Sequence, residues 1–270
     1  MTSALRQSAL TRHVTDAMSP WLDVRVRDAV GSTNAELLAD PRPWHVLTTD
    51  HQQAGRGRLA RSWETPAGTA VALSACVPVP SARMPDAGWL PLLTGLAVRD
   101  ALASLAGPGR AEAFVLKWPN DVLVATDDDR KVCGVLCELA PAPGPGDGVA
   151  VLGLGINVHQ TREQLPVETA TSLQLCGVEV GREDVVVAVL RALAHRHGQW
   201  ATPSRMPALR ADYTAACATL GREVDIHLPS GAVEPGRAVR VDGAGRLVIR
   251  TARGERTHAA GDVVHARLSG

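Results

Sequence analysis

The sequence predicts an α+β fold in two parts: interleaved strands and helices over residues 1–220, then a small β-barrel over residues 221–270. Three observations carry this reading. Short runs in which apolar and polar residues alternate, as at residues 21–30, have the period of half-buried strands. Longer stretches keep helical spacing, with Val185, Val186, Val189, Leu190 and Leu193 on one face. After Gly221 the texture changes to short alternating segments broken by turns, the pattern of a small barrel.

In order, the strand at 21–30 sets Leu22, Val24 and Val26 opposite Asp23, Arg25 and Arg27. Ser32, Thr33 and Asn34 then offer capping oxygens to a helix through residues 35–38. A short strand at 46–49 leads into a polar, glycine-punctuated stretch at 50–62, and a buried strand follows at 69–77. A helix is expected over about residues 87–106, then strands at 114–118, 122–125, 132–139 and 149–158. Asp127 to Arg130 reads as a solvated hairpin turn, and the proline-rich 141–148 as a loop inside the same domain. The helix through 185–193 is followed by a second at 207–220. The tail strands are expected at 224–228, 238–241, 247–250 and 263–266, with turns at 229–231 and 242–243.

Composition narrows the function classes. Of 270 residues, 45% are apolar, which suits an ordinary core, and 28 basic residues balance 28 acidic ones. Zero net charge argues against a nucleic-acid-coating surface, so any anion site is local. The five cysteines are odd in number and lack Cys-x-x-Cys spacing, which points to reduced thiols rather than disulfides or zinc. His195 and His197 are expected on the surface. The first twenty residues hold no apolar run of signal type, and no window is read as a membrane span, so a cytoplasmic protein is expected.

Four clusters carry chemistry. Gln52, Gln53, Ala54, Gly55, Arg56, Gly57 and Arg58 alternate arginine with glycine, suiting a mobile loop that closes on phosphate or carboxylate. A solvated loop or a nucleic-acid contact has the same local look, and no Walker loop is present. Lys117, Trp118, Pro119, Asn120 and Asp121 bring a cation, an amide and a carboxylate to one turn, either a magnesium–nucleotide corner or a structural turn around a buried tryptophan. Lys131 opens an apolar strand containing Gly134, where it either enters a pocket or marks a surface strand end. Gly153, Gly155 and Asn157 close another strand, and alone this is weak.

In this order the pieces resemble biotin protein ligases: Ser32-Thr33-Asn34, then QQAGRGR from Gln52 to Arg58, then Arg61 and Trp63. KWPND from Lys117 to Asp121 follows, then RKVCG from Arg130 to Gly134, GLGIN from Gly153 to Asn157 and ATSL from Ala170 to Leu173. The resemblance implies a catalytic domain similar to class II aminoacyl-tRNA synthetases, a mixed sheet flanked by helices, followed by an SH3-like barrel. It implies that biotin and Mg·ATP form biotinyl-5′-adenylate, from which a lysine of a biotin carboxyl carrier domain of an acyl-CoA carboxylase takes the biotin. On that resemblance Lys131 serves the biotin carboxylate and α-phosphate, and Arg58 closes over the adenylate. Ser32, Thr33, Asn34 and Gln52 line the biotin site, with Arg56 and Gly57 in the same loop. Asn120 and Asp121 lie on the nucleotide side, Asp121 toward Mg²⁺, and Asn157 lies at the nucleotide end. Gly55, Trp63, Lys117, Gly134 and Gly155 complete the binding set.

This sequence departs from the family pattern at Ala60, where a glycine is common: if that glycine takes positive φ, loop closure would be altered, without activity having to be lost. About 30 residues precede Ser32, too few for a helix-turn-helix module, so a monofunctional ligase without specific DNA binding or membrane contact is expected, as a monomer or weak homodimer. A lipoate or octanoate ligase and a non-catalytic biotin or nucleotide sensor are the alternatives.

Overall fold

The computed structural model describes residues 4–58, 62–142, 146–228, 231–259 and 262–265, so Leu59, Ala60 and Arg61 of the arginine–glycine loop lie outside it. Gln7–Val14 (α1) is a helix the sequence reading left out. Asp23–Val30 (β1) runs parallel to His45–Gln52 (β2), with Thr33–Ala39 (α2) between them. Ser32 caps α2 as expected, its hydroxyl accepting from the Ala35 amide at 3.4 Å. Gly55–Arg56 (β3) and Ser62–Trp63 (β4) form a separate two-stranded ladder. Ala70–Val79 (β5) follows, then Leu90–Ala106 (α3), Phe114–Lys117 (β6), Asp121–Val124 (β7), Arg130–Pro141 (β8) and Gly148–Asn157 (β9).

Seven of these strands make one mixed sheet in the order β1-β2-β5-β9-β8-β7-β6, antiparallel except for β1 and β2. The central strands β5 and β9 are buried almost throughout, because both of their faces are covered. One face meets α1, α3, Arg182–Ala201 (α4) and Met206–Ala216 (α5), and the main core forms there. The other face carries α2, whose Leu37 joins Leu47, Cys76, Val149 and Val151 in a smaller cluster.

By length and composition, residues 81–106 are apolar enough to cross a membrane, which corrects the reading that no window qualifies. Leu92, Leu93, Leu96, Ala97 and Val98 are buried in the core, so this is a packed helix. His197 is a second correction. It is 4% exposed, on the α4 face that also carries Leu190, Leu193 and Trp200. Its Nε2 donates to the Pro78 carbonyl at 2.9 Å, and burial lowers its pKa, favouring the neutral ring. The second C-terminal helix ends at Ala216, earlier than the sequence suggests, because Cys217 bridges to Leu116 and the Ala218 amide bonds the Leu116 carbonyl at 2.8 Å.

Glu223–His227 (β10), Val233–Val241 (β11), Leu247–Thr251 (β12), Gly254–His258 (β13) and Asp262–His265 (β14) form an antiparallel sheet ordered β13-β12-β11-β10-β14. Its apolar face, including Val224, Ile226, Leu247 and Ile249, joins the main core. The β11–β12 turn docks on the large sheet. Trp118 Nε1 donates to the Gly245 carbonyl at 3.0 Å, and Trp89 Nε1 to that of Gly243 at 2.9 Å. Gly245 has φ +83°, and a Cβ there would sit 2.8 Å from the Gly88 carbonyl oxygen, so the close docking requires glycine.

Candidate active site

Strand register builds the floor of a cleft on the sheet face opposite the main core. Leu152, Leu154 and Ile156 of β9 pack into that core, so Gly153 and Gly155 turn the other way. Gly155 pairs with Gly134 on β8, and Gly153 lies between Leu136 on β8 and Ser74 on β5. Side chains from elsewhere fill the room these glycines leave. A Cβ on Gly155 would collide with the Trp63 indole, and one on Gly153 with the Asn34 amide. At Gly134 it would meet Lys131 Nζ at 2.9 Å. The resulting cavity measures about 140 Å³ and opens beside a more apolar hollow of about 370 Å³ with which it shares Arg58, Asn120, Val135 and Leu136.

The two ends of the cavity differ in chemistry. One is neutral and built on α2: Ser32, Thr33 and Asn34 are 8%, 3% and 4% exposed. The Thr33 amide donates to Gln52 Oε1 at 3.0 Å, and Thr33 Oγ1 lies 3.1 Å from the same oxygen. Buried Ser74 donates to Asn34 Oδ1 at 2.6 Å and lies 2.7 Å from Thr33 Oγ1. Asn34 Nδ2 donates to Glu138 Oε2 at 2.8 Å and to the Leu136 carbonyl at 3.2 Å.

The other end is ionic. Lys131 Nζ pairs with Asp121 Oδ1 at 2.7 Å and lies 5.5 Å from the centre of the Trp63 ring, within cation–π range. Arg58 donates from a terminal nitrogen to Asn120 Oδ1 at 3.0 Å, and Arg56 and Gly57 line the wall nearby. Asn120 is fixed in turn, its Nδ2 donating to the Val135 carbonyl at 2.9 Å and its own carbonyl accepting from the Val135 amide at 2.9 Å. The indole Nε1 of Trp63 is buried without a hydrogen-bond partner among the described residues, a donor suited to a ligand. Two thiols lie close to this site: burial raises the pKa of Cys133 and pushes that of Cys137 up to about 12, so neither is poised as a nucleophile.

Of the residues singled out from the sequence, Ser32, Thr33, Asn34, Gln52, Arg56, Gly57, Arg58, Trp63, Asn120, Asp121, Lys131, Gly134 and Gly155 line this one cavity. Three do not. Gly55 lies beneath it, packed under the Trp63 carbonyl and the Gln52 amide. Lys117 ends β6 opposite Asp121. Asn157 is buried, its Nδ2 donating to the Thr171 carbonyl at 2.9 Å and its Oδ1 accepting from Gln160 at 2.9 Å. The binding set read from the sequence leaves out Ser62, Val135, Leu136 and Leu154 on the wall, and Ser74 and Glu138 behind it, and it holds Gly153 only as part of the GLGIN motif.

Known proteins share this architecture. The sequence profile of the Biotin/lipoate A/B protein ligase family matches residues 32–157. The chain is 37% identical over 268 residues to a biotin–[acetyl-CoA-carboxylase] ligase of Mycobacterium tuberculosis, covering 97% of this chain and 96% of that one. It is 28% identical to the bifunctional ligase/repressor BirA of Bacillus subtilis, covering 88% and 71%. The structure of biotin protein ligase from Aquifex aeolicus in complex with biotin and ATP superposes with a TM-score of 0.72 at 26% identity, covering 91% of this chain and 99% of that one.

Proposed function

The chain belongs to the biotin protein ligases, and we propose that its reaction runs along the cleft from the neutral pocket at Thr33, Asn34 and Gln52 to the cations at Arg58 and Lys131. It is an ATP-dependent ligase that activates biotin and passes it to a biotin carboxyl carrier domain. The observation that carries the residue assignment is the polarity of the cleft. Biotin has a neutral head that gives and takes hydrogen bonds and a tail ending in a carboxylate. The neutral end suits the head, and the tail then points at Lys131.

In the first step a carboxylate oxygen of biotin attacks the α-phosphorus of ATP. The bond to the β-phosphate oxygen breaks, and pyrophosphate leaves. Two anions must meet, so Lys131 and Arg58 offset their repulsion and the charge that develops at the α-phosphate. In the second step the carrier lysine amine attacks the acyl carbon. The bond to the AMP oxygen breaks, an amide forms, and the amine proton is released. Asp121 orients the incoming lysine amine, while Arg56, Arg58 and Gly57 hold the adenylate until the carrier arrives.

Trp63 offers its ring and its unpaired N–H to the nucleotide, and Gly134 and Gly155 leave room for that ring. Asn157 acts from behind, through Thr171, on the segment whose Thr169 and Thr171 bond the Lys131 backbone. Gly55 and Lys117 support the loop root and the turn. Asp121 is the single carboxylate lining the cavity, and no group of three metal-ligating side chains occurs among the described residues. That donor set suits Mg²⁺ entering as Mg·ATP, with Asp121 reaching it, rather than a resident ion.

We assign residues 1–220 to a catalytic domain similar to class II aminoacyl-tRNA synthetases and 221–270 to an SH3-like barrel. The change of sheet after Gly221 and the antiparallel order of the second sheet support this division. An acyl-CoA carboxylase supplies the carrier in this reading. The ligase works in the cytoplasm as a monomer or weak homodimer, without specific DNA or membrane binding, which its zero net charge favours.

The test is ATP–pyrophosphate exchange with Mg²⁺ and biotin, lipoate or octanoate, without a carrier. Exchange that depends on biotin alone is expected. Exchange with lipoate or octanoate instead would keep the fold and replace the substrate, and none with any acid would leave a non-catalytic sensor.

A further inference from the structure

Behind the neutral end of the cavity, three oxygen–oxygen contacts share two hydroxyl protons. The contacts are Asn34 Oδ1–Ser74 Oγ at 2.6 Å, Ser74 Oγ–Thr33 Oγ1 at 2.7 Å and Thr33 Oγ1–Gln52 Oε1 at 3.1 Å. The protons are those of Ser74 and Thr33, since an amide oxygen only accepts. With Asn34 oriented as it stands, the single Ser74 proton goes to Asn34 Oδ1, its shortest contact and one that cannot donate. The 2.7 Å Ser74–Thr33 contact then takes the Thr33 proton in preference to the longer 3.1 Å contact with Gln52. Gln52 Oε1 is then left with the Thr33 amide, and acceptor capacity faces the cavity from Gln52 and Thr33.

If the Asn34 amide turned over, Nδ2 would donate to Ser74, Ser74 to Thr33 and Thr33 to Gln52. Every contact would then have a proton, and the cavity would lose its free acceptor. What opposes that flip lies outside the cavity. Both Asn34 amide hydrogens are held by groups that cannot donate, the Glu138 carboxylate at 2.8 Å and the Leu136 carbonyl at 3.2 Å. A flipped Asn34 would turn its oxygen on both, leaving acceptors facing one another with no proton between them, which disfavours the flip.

We propose that Glu138 is a positioning and specificity residue: by fixing the Asn34 amide it keeps the neutral pocket one proton short, so that the pocket takes a ligand bearing N–H donors. Neither Glu138 nor Ser74 lines the cavity, and Asn34 is 4% exposed, so the effect passes through the hydrogen-bond chain. The inference rests on the assignment of this end to the biotin head.

The experiment is biotin-dependent ATP–pyrophosphate exchange with wild type, Glu138→Gln, Ser74→Ala and the double variant, each checked by thermal melting. Glutamine keeps the shape of Glu138 and adds a donor that accepts the flipped amide. The KM for biotin is expected to rise about three- to tenfold as the acceptor state becomes a minor fraction, with kcat, the KM for ATP and the melting temperature unchanged. Ser74→Ala cuts the chain between Asn34 and Thr33, so adding Glu138→Gln to it changes the biotin KM no further. Wild type without biotin exchange would fail the functional reading itself. Active wild type with an unchanged biotin KM in Glu138→Gln, or with additive effects in the double variant, would overturn the role of Glu138. A fall in melting temperature with equal losses in both KM values and kcat would make Glu138 a stability residue and overturn it too.

Discussion

The two halves of the cleft are built differently. One half is carried by the large sheet. Lys131 has its backbone bonded on both sides, its amide to the Thr169 carbonyl at 2.8 Å and its carbonyl to the Thr171 amide at 2.9 Å. Asn120 is locked to Val135 by two bonds, and the glycine floor is fixed by strand register. The other half is carried by the β3–β4 ladder, with two residues in each strand and Arg56 exposed. Its root bonds at the Gln53 and Ala54 amides, and it reaches the sheet through Arg58 to Asn120 and through Trp63 over the floor. The division of labour follows from stiffness. Under the proposed reading, groups that meet a reacting atom in fixed geometry sit on the sheet, and groups that admit a ligand and then hold it sit on the short ladder.

The largest effect expected from this contrast is at Lys131. Lys131→Ala should lower biotin-dependent pyrophosphate exchange by about 10²- to 10³-fold, the usual cost of removing one preorganised charge from a developing anion. Its side chain is 32% exposed and outside the core, so the melting temperature should hold. Near-normal exchange in a folded variant would move the catalytic cation from the sheet to the loop and break the comparison.

Arg58→Ala probes the other half. Losing its bond to Asn120 unlatches the loop, so adenylate should still form while its release quickens by about tenfold, a loss near 1.4 kcal/mol of retention. Released adenylate would then label bystander lysines. The readout is the dissociation rate of biotinyl-adenylate from the isolated complex. An unchanged rate would show that retention, too, belongs to the sheet.

How much was legible in the sequence divides along similar lines. Arg58, Lys131 and Asn120–Asp121 stood out because glycine, charge and proline in a short span are locally unusual. Ser74 and Glu138 did not, because each is one polar residue in an apolar strand, and their meaning comes from register: Ser74 opposite Gly153, Glu138 opposite Val151. Strand β13, Gly-Glu-Arg-Thr-His, has no apolar alternation to reveal it and forms because β12 pairs with it. His197 follows Leu190 and Leu193 at helical spacing, so a stricter reading of that period would have buried it. The seven-stranded order could not be read at all, since it depends on which strands meet after the α2 and α3 crossovers rather than on any one segment.

The smallest expected effect asks whether the C-terminal sheet belongs to the fixed half. Its turn receives a bond from Trp118 at Gly245 and bonds from Trp89 and Arg210 at Gly243, both tryptophans being 1% exposed. Trp118 differs in position: Asn120 and Asp121 follow it within three residues, and its amide is held by Thr219 Oγ1 at 3.0 Å. Phenylalanine at either site keeps most of the packing and removes the N–H. In Trp118→Phe this leaves the buried Gly245 carbonyl unpaired at a cost of about 1–3 kcal/mol. In Trp89→Phe the exposed Gly243 carbonyl keeps its bond from Arg210 at 2.8 Å. Urea unfolding should therefore show the larger loss in Trp118→Phe and a smaller one in Trp89→Phe. Exchange kinetics should separate them, with kcat falling by about two- to fivefold in Trp118→Phe alone, since small misplacements of positioned groups are felt in the barrier. Equal kinetics in the two variants would mean that the turn stabilises the fold without setting the geometry of Asn120 and Asp121, and the fixed half would end at the large sheet.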